Sequence, residues 1–421
     1  MIIGFISTRI AGTDGVSLEI HKWATILQRL GHKVYYCAGE LNPGLHGMLV
    51  PEMHFTHPEV QWINDQAFGT TQATPDLFQR ITRLASFLQD SVQRFINAYD
   101  LDLLIAENIL AIPMNVPLGL AVSNLVAETN IPTIAHHHDF YWERERFKFN
   151  CIPEILGQSF PPGFPCIQHV VINTPASRSL QEQLHIESTV IPNIFDFSHA
   201  APGINTYSRD LRGALGLTDQ NLMILQPTRV IRRKGIELSI ELVRRLCEPK
   251  NVAKLLGKEP ILVITHHAGD EGIEYLEELE TKAQQAGVTL LHAATRFAPR
   301  ASLVNRQKIY SLWDAYIQAD FVTYPSRYEG FGNALLESIY FRLPILVNRY
   351  NVYITDIAPL GFDLIEIEGE ITNQTVEATV EAIIDPVRRR HMVEYNYQVA
   401  LERFSYEAVM PKVQTLVNGR M

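Results

Sequence analysis

Two carboxylates, Glu329 and Glu337, stand eight positions apart in the stretch "YPSRYEGFGNALLESIYFRLP", residues 324–344. The stretch begins apolar, turns through Gly330 and Gly332, and enters a helical pattern that carries Glu337. Glycines there let the backbone approach a ligand closely. The helix start offers unpaired N–H groups and the positive end of the helix dipole, which suits an anion or a hydroxyl-rich ligand. At a rise of 1.5 Å per residue Glu337 lies roughly 12 Å further along, so one extended ligand could touch both carboxylates. A carboxylate accepts two neighbouring hydroxyls, and sugars and ribose both offer vicinal diols. The plain alternative is a solvated Glu337 and a Glu329 that only complements the helix dipole.

A second constellation is "PTRVIRRKG", residues 227–235, where Arg229, Arg232, Arg233 and Lys234 place four cations within six residues. At a strand end that leads into a helix they suit a diphosphate; a solvated basic turn is the alternative. A third is "IAHHHDFYWERERF", residues 134–147. Strand alternation puts His136 and His138 on one face and His137 on the other. Ligands of one metal must converge while strand neighbours diverge, so no metal is expected. The tail with Tyr141, Trp142, Arg144 and Arg146 could line an acceptor site, with Trp142 stacked on a sugar face, or form a partly buried loop. Asp100 and Asp102 make a D-x-D pattern where the strand "LLIAE" opens. That is the strand's amino end, away from the ligand side of an α/β sheet.

The elements that must position these residues alternate. In the first half, strands "MIIGFIST", "HKVYYCAG", "DLDLLIAE", "PTIAHHHD", "HVVINT" and "STVIPN" are interleaved with helical patterns. One of these, "SLEIHKWATILQRLG", ends at a Gly31 C-cap; others cover 75–98 and 116–129. A polar stretch with Pro and Gly, 197–208, reads as a linker. A second series follows: "LMILQPTR", "GIELSIELVRRLC", "PILVITHH", "GIEYLEELETKAQQAG", "VTLLHA", "YIQADFVTYPS", a helix from 332, and "PILVNR". The expected architecture is α/β, two Rossmann-like doubly wound domains facing a cleft. Their bounds are 1–196 and 209–395, with a helical tail, 396–421, packing back on the first domain. Ligands of such sheets sit at the carboxyl ends of the strands, where His138, Arg229, Lys234 and Glu329 all fall.

The chain has 421 residues, too many for one ordinary core. Hydrophobic residues make up 46% and charged residues 19%, a globular balance. The net charge of −10 argues against a general nucleic-acid binder, whose affinity comes from neutralising phosphates. A peripheral membrane contact stays open. Cys37, Cys151, Cys166 and Cys247 form no CxxC pair, so neither a disulfide framework nor a zinc motif is expected, and the compartment reads as reducing and cytoplasmic. "MIIGFISTRI" reads as a first strand, not a signal peptide. The window 108–127 has the length of a membrane span, but its two prolines and three asparagines make it a soluble core helix entered through a loop.

These residues carry a resemblance. "PSRYEGFGNALLE" resembles the E-x7-E signature of family-4 glycosyltransferases, and "TRVIRRKG" resembles their Arg-x4-Lys segment. "YIQADFVTYPS" is similar to the strand entering that signature. "IPNIFDF" is similar to the family's Pro-Asn-Gly-Val-Asp stretch, with Ile194 in place of glycine, and "GTDGVSLEIHKWA" to its Gly-rich loop and first helix. The resemblance spans nearly the whole chain. It implies the GT-B fold and retaining, metal-independent transfer of a hexose from a nucleotide diphosphate sugar to an acceptor hydroxyl. No separate cofactor is implied. UDP-glucose is the first expectation for the donor and GDP-mannose the second; the acceptor is a sugar, polyol or lipid-linked hydroxyl.

The resemblance also implies roles. Glu337 accepts the ribose hydroxyls. Glu329 holds a hydroxyl of the transferred sugar together with backbone N–H groups at Phe331 and Gly332, where Asn333 opens the helix. Arg229 and Lys234 bind the diphosphate as it leaves. Gly12 and Gly15 bring first-domain backbone close to phosphate or acceptor. His138, followed by Asp139, faces the donor sugar. D-x-D binds metal in the other major glycosyltransferase fold, so Asp100 and Asp102 are not expected to act here. Two departures stand out: "YNVYITDIAP" has no glycine before Gly361 where the family has a Gly-rich loop, and His266 and His267 replace a Gly-rich turn. A sugar-nucleotide epimerase of the same fold and a non-catalytic nucleotide-sugar-binding protein are the alternatives. Oligomeric state is not readable from the sequence.

Overall fold

The computed structural model describes residues 1–12, 14–268 and 272–419. The chain divides into two compact units, Met1–Ile194 with Tyr406–Met421, and Phe195–Ser405. The first holds a parallel sheet of seven strands: β1 (Ile2–Ser7), β2 (Lys33–Ala38), β3 (Gly47–Leu49), β4 (Leu103–Glu107), β5 (Thr133–His137), β6 (Ile167–Val171) and β7 (Ser188–Val190), in the order β3-β2-β1-β4-β5-β6-β7. Every residue of β4 and β5 is buried, as expected of parallel strands covered on both faces. The helices Pro75–Tyr99 and Val116–Thr129 form one covering layer. In the longer one, Leu77, Ile81, Leu84, Leu88, Val92 and Phe95 recur every three or four residues, and Thr74 caps its start. The helices Gly15–Arg29 and Tyr406–Asn418 pack into the other core through Trp23, Leu27, Val409 and Val413.

The second unit holds a six-stranded parallel sheet: β8 (Asn221–Gln226), β9 (Glu259–Ile264) and β10 (Leu290–His292), then, beyond a small sheet, β14 (Phe321–Tyr324), β15 (Ile345–Asn348) and β16 (Ile365–Ile367). The order is β10-β9-β8-β14-β15-β16. The small sheet of β11 (Phe297–Ala298), β12 (Ser302–Val304) and β13 (Gln307–Ser311) was not foreseen, because its strands are only two to five residues long.

Several boundaries differ from those read in the sequence. The stretch 197–208 is not a free linker: Phe197 packs edge-on to Phe195, Tyr340 and Tyr397 inside the second unit. Position 396 falls within one continuous helix, Pro386–Phe404, started by the Asp385 cap, and the chain changes units after Ser405. In "YIQADFVTYPS" the first residues close the helix Leu312–Gln318, set by a Ser311–Asp314 capping box, and the strand begins at Phe321. Among the described residues no helix is long and apolar enough to cross a membrane.

Candidate active site

In the second unit β8 and β14 are neighbours, so the loops at their carboxyl ends meet. After β8 the chain makes a tight turn, Arg232–Lys234, closed by Gly235 at φ +61°. A Cβ on Gly235 would lie 2.6 Å from the Pro325 carbonyl oxygen, so only glycine lets the two loops come together. Lys234 Nζ pairs with Glu329 Oε1. Arg233 Nη1 lies 3.0 Å from Glu329 Oε2 and donates to the Tyr328 carbonyl at 2.9 Å. Glu329 and Lys234 are only 7% and 8% exposed. Burial works to raise the Glu329 carboxyl, but the charges of Lys234 and Arg233 outweigh it and hold it at about 2. Burial brings Lys234 down to about 8, against the pull of Glu329. Arg232 turns to a surface pair with Glu278 at 2.5 Å, and Arg229 is exposed.

The two glutamates of the opening motif are therefore unlike each other. Glu329, expected to await a sugar hydroxyl, is already neutralised by two cations that were expected on the phosphates. Glu337 is half-buried on the helix Asn333–Tyr340 and accepts from the buried Tyr316 hydroxyl at 2.7 Å. Gly332, before that helix, sits at φ +127°, and a Cβ there would lie 2.6 Å from Tyr350 Oη. Tyr350 donates to the Phe331 carbonyl at 2.6 Å, while buried Tyr353 donates to Glu366 at 2.7 Å. The bulky "YNVYITDIAP" segment thus braces the Phe331–Gly332 turn through Tyr350. In the second departure, His292 Nε2 lies 3.0 Å from the His266 carbonyl oxygen, and residues 269–271 fall outside the described residues.

In the first unit Glu107, at the end of β4, lies opposite His136 of β5 and is fully buried. Its Oε1 lies 2.6 Å from His138 Nε2 and 2.9 Å from His136 Nδ1. His137 points to the other face and meets His169 at 3.0 Å. The expected divergence holds for His137, but His136 and His138 converge on a carboxylate that the sequence reading left unassigned. Ligand atoms of the three residues lie within 4.8 Å of one another, and two histidines with a glutamate are a zinc-type donor set. However, two ligands on one tetrahedral zinc stand about 3.3 Å apart at bond lengths near 2.0–2.1 Å. The 2.6 Å contact is the length of a charge-assisted hydrogen bond. Burial acts to raise Glu107, yet the two histidines outweigh it and hold it at about 2. Burial acts to lower His138, yet its bond to Glu107 carries it above the ordinary histidine value.

Other expected residues of this unit are engaged within the fold. Gly12, at φ +77°, donates its N–H to Asn42 Oδ1 at 3.2 Å. Gly15 begins the helix Gly15–Arg29, but Asp14 caps it, accepting from Val16 and Ser17 N–H at 3.1 Å each and pairing with Arg9 at 3.0 Å. A phosphate expected there would meet a carboxylate already at the helix start; Thr13 lies outside the described residues. Trp142 stacks on Phe140 at 4.5 Å and donates to Ser179, which makes it part of a packed loop. Arg144 is held by Asp139. Asp102 accepts the Ile2 N–H at 2.6 Å, a structural contact at the amino end of β4.

The family described as "Glycosyl transferases group 1" matches residues 208–399. A mannosylglucosylglycerate synthase of Thermotoga maritima is 35% identical to this chain, covering 97% of each. The chain belongs to the group 1 glycosyltransferases. A mannosylglucosylglycerate synthase of Petrotoga mobilis is 34% identical over 87% of this glycosyltransferase and 86% of that protein. Among solved structures, Anabaena Alr3699/HepE in complex with UDP and glucose superposes with a TM-score of 0.65 at 14% identity, over the full length of both chains. The lipopolysaccharide glycosyltransferase WaaG gives 0.61 at 16% identity, over 99% of this chain and 100% of that one. The fold is GT-B, and the epimerase and non-catalytic alternatives are set aside by family membership.

Proposed function

We propose that this glycosyltransferase moves a mannosyl group from a nucleotide diphosphate sugar to a hydroxyl of a glucosylglycerate-type acceptor, with retention. The relatives are named for a product that ends in mannose and carries glycerate. That favours GDP-mannose as donor over UDP-glucose, the first expectation from the sequence. The observation that carries the reading is the buried Lys234–Glu329–Arg233 cluster beside the start of the helix Asn333–Tyr340.

The chemistry follows from charge. The bond from the anomeric carbon to the diphosphate breaks, and negative charge grows on the leaving oxygen. Arg229, Lys234 and the helix start meet that charge in a preorganised setting, supplying what a divalent ion would otherwise supply. Glu329 keeps Lys234 in place and protonated until phosphate arrives, and then becomes available to a sugar hydroxyl. Glu337, fixed by Tyr316, takes the ribose. The acceptor oxygen attacks from the side the diphosphate leaves, and the leaving phosphate takes the acceptor's proton. His138 contacts the donor sugar.

The test is to incubate the enzyme with GDP-mannose or UDP-glucose, each with glucosylglycerate or glycerate, and follow nucleotide release and product mass. The expected result is GDP release and a product heavier by one hexose, only with glucosylglycerate. Transfer from UDP-glucose alone contradicts the donor assignment.

A further inference from the structure

The dipeptide Glu107–Asn108 ends β4 beside the dipeptide His138–Asp139, which follows β5. Each member of the first holds the second. Glu107 Oε1 accepts from His138 Nε2 at 2.6 Å. Asn108 Oδ1 accepts the His138 backbone N–H at 3.0 Å, and Asn108 Nδ2 donates to Asp139 Oδ1 at 3.3 Å. Asn108 reaches both from φ +59°, a conformation that asparagine tolerates better than most residues. Behind the histidine, the His136 ring lies 4.8 Å from the His138 ring and 4.6 Å from Trp23. Glu107 is fully buried, whereas His138 keeps 10% of its side-chain surface exposed.

We propose that Glu107 is a positioning residue: it fixes the His138 ring so that Nε2 points inward and Nδ1 is the nitrogen presented to the substrate, with Asn108 fixing the backbone of the same residue. This rests on the reading above that His138 contacts the donor sugar. The physical need is plain. A histidine at a loop start can flip its ring or swing about χ1, and either move exchanges the atom offered to a ligand. A buried carboxylate on Nε2 removes both freedoms, as outer partners do for ligating histidines. Among the described residues Nδ1 of His138 has no hydrogen-bond partner, so it is the ring atom left for a ligand. The neighbouring charges sharpen this. Glu107, and more distantly Glu19 and Asp139, favour the protonated ring, in which Nδ1 donates to a sugar hydroxyl or phosphate oxygen.

The experiment combines a spectroscopic measurement on the unaltered enzyme with a double-mutant cycle. Nitrogen-detected histidine NMR should show His138 with Nε2 protonated and strongly hydrogen-bonded; an unprotonated Nε2 overturns the proposal. Glu107→Gln keeps size and should lower kcat by about 10- to 100-fold, with KM for donor and acceptor little changed. His138→Ala should cost at least as much, and His138→Ala with Glu107→Gln should be no worse than His138→Ala alone. Additive losses overturn the positioning role while leaving His138 on the substrate. An unchanged kcat in His138→Ala overturns the reading of His138 itself, and the proposal with it. One zinc per purified chain, lost in Glu107→Gln, overturns the proposal by making the cluster a metal centre.

Discussion

Glu329 and Glu107 invite comparison. Each is a buried carboxylate near the carboxyl end of a central parallel strand, met by two basic side chains from a neighbouring segment, and each is held at about 2. They differ in the partners. Glu329 faces an ammonium and a guanidinium, those of Lys234 and Arg233; Glu107 faces two imidazoles, those of His136 and His138. In the proposed mechanism the first arrangement holds positive charge for an incoming anion. In the proposed positioning role the second fixes orientation, because a ring held through one nitrogen presents the other. On this reading the same carboxylate chemistry serves two roles, and the chemistry of the partner decides which.

The comparison breaks first on stability. Glu329→Ala should destabilise the protein by about 3–5 kcal/mol, since Lys234 is then buried without its carboxylate. Glu107→Ala should cost less, about 1–3 kcal/mol, because His138 can deprotonate and leave only an unsatisfied polar group. Denaturant unfolding of both variants measures the gap, and equal losses would erase the distinction. Since the folded Glu329 carboxyl lies below its ordinary value of 4.5, its contribution is present above that pH. It is lost as pH falls towards about 2.

A smaller effect separates the two glutamates of one motif. Glu337→Gln should weaken binding of bare nucleotide diphosphate by about 1–3 kcal/mol, the value of a charge-assisted hydrogen bond to ribose. Glu329→Gln should change bare-nucleotide affinity less, and its cost should appear in turnover and in discrimination between donor sugars. Isothermal titration followed by kinetics checks both. The mildest test is pH. In the free enzyme Lys234 loses its proton near 8, so kcat/KM should fall as pH rises through that value. The limb for kcat should move higher, because bound diphosphate favours the cation.

The segments that make up the second unit's candidate site were legible in the sequence. "RYEGFGNALLE" and "TRVIRRKG" are contiguous segments whose residue types suggest their chemistry, and the strands before them, Asn221–Gln226 and Phe321–Tyr324, are largely apolar. That the loops close on each other, Lys234 on Glu329, was not legible. It depends on β8 lying beside β14, a pairing between segments about a hundred residues apart. Glu107 was missed for the same reason: its partners come from the next parallel strand. A signal was present, since a carboxylate that ends an otherwise apolar strand must find a counter-group when buried, and "AHHHD" was the nearest supply. The tyrosines of "YNVYITDIAP" depart from the family pattern because Tyr350 packs against Gly332 and Tyr353 donates to Glu366, which residue types alone do not reveal.

The central claim is that Arg229 and Lys234 stabilise charge on the departing diphosphate. The most direct measurement is kcat of Arg229→Ala and Lys234→Ala at saturating donor, beside the donor affinity of each. The account predicts turnover down by about 10²–10³-fold, roughly 3–4 kcal/mol, with affinity falling much less because the charge grows in the transition state. Wild-type turnover in both variants, or a loss confined to donor affinity, would contradict it.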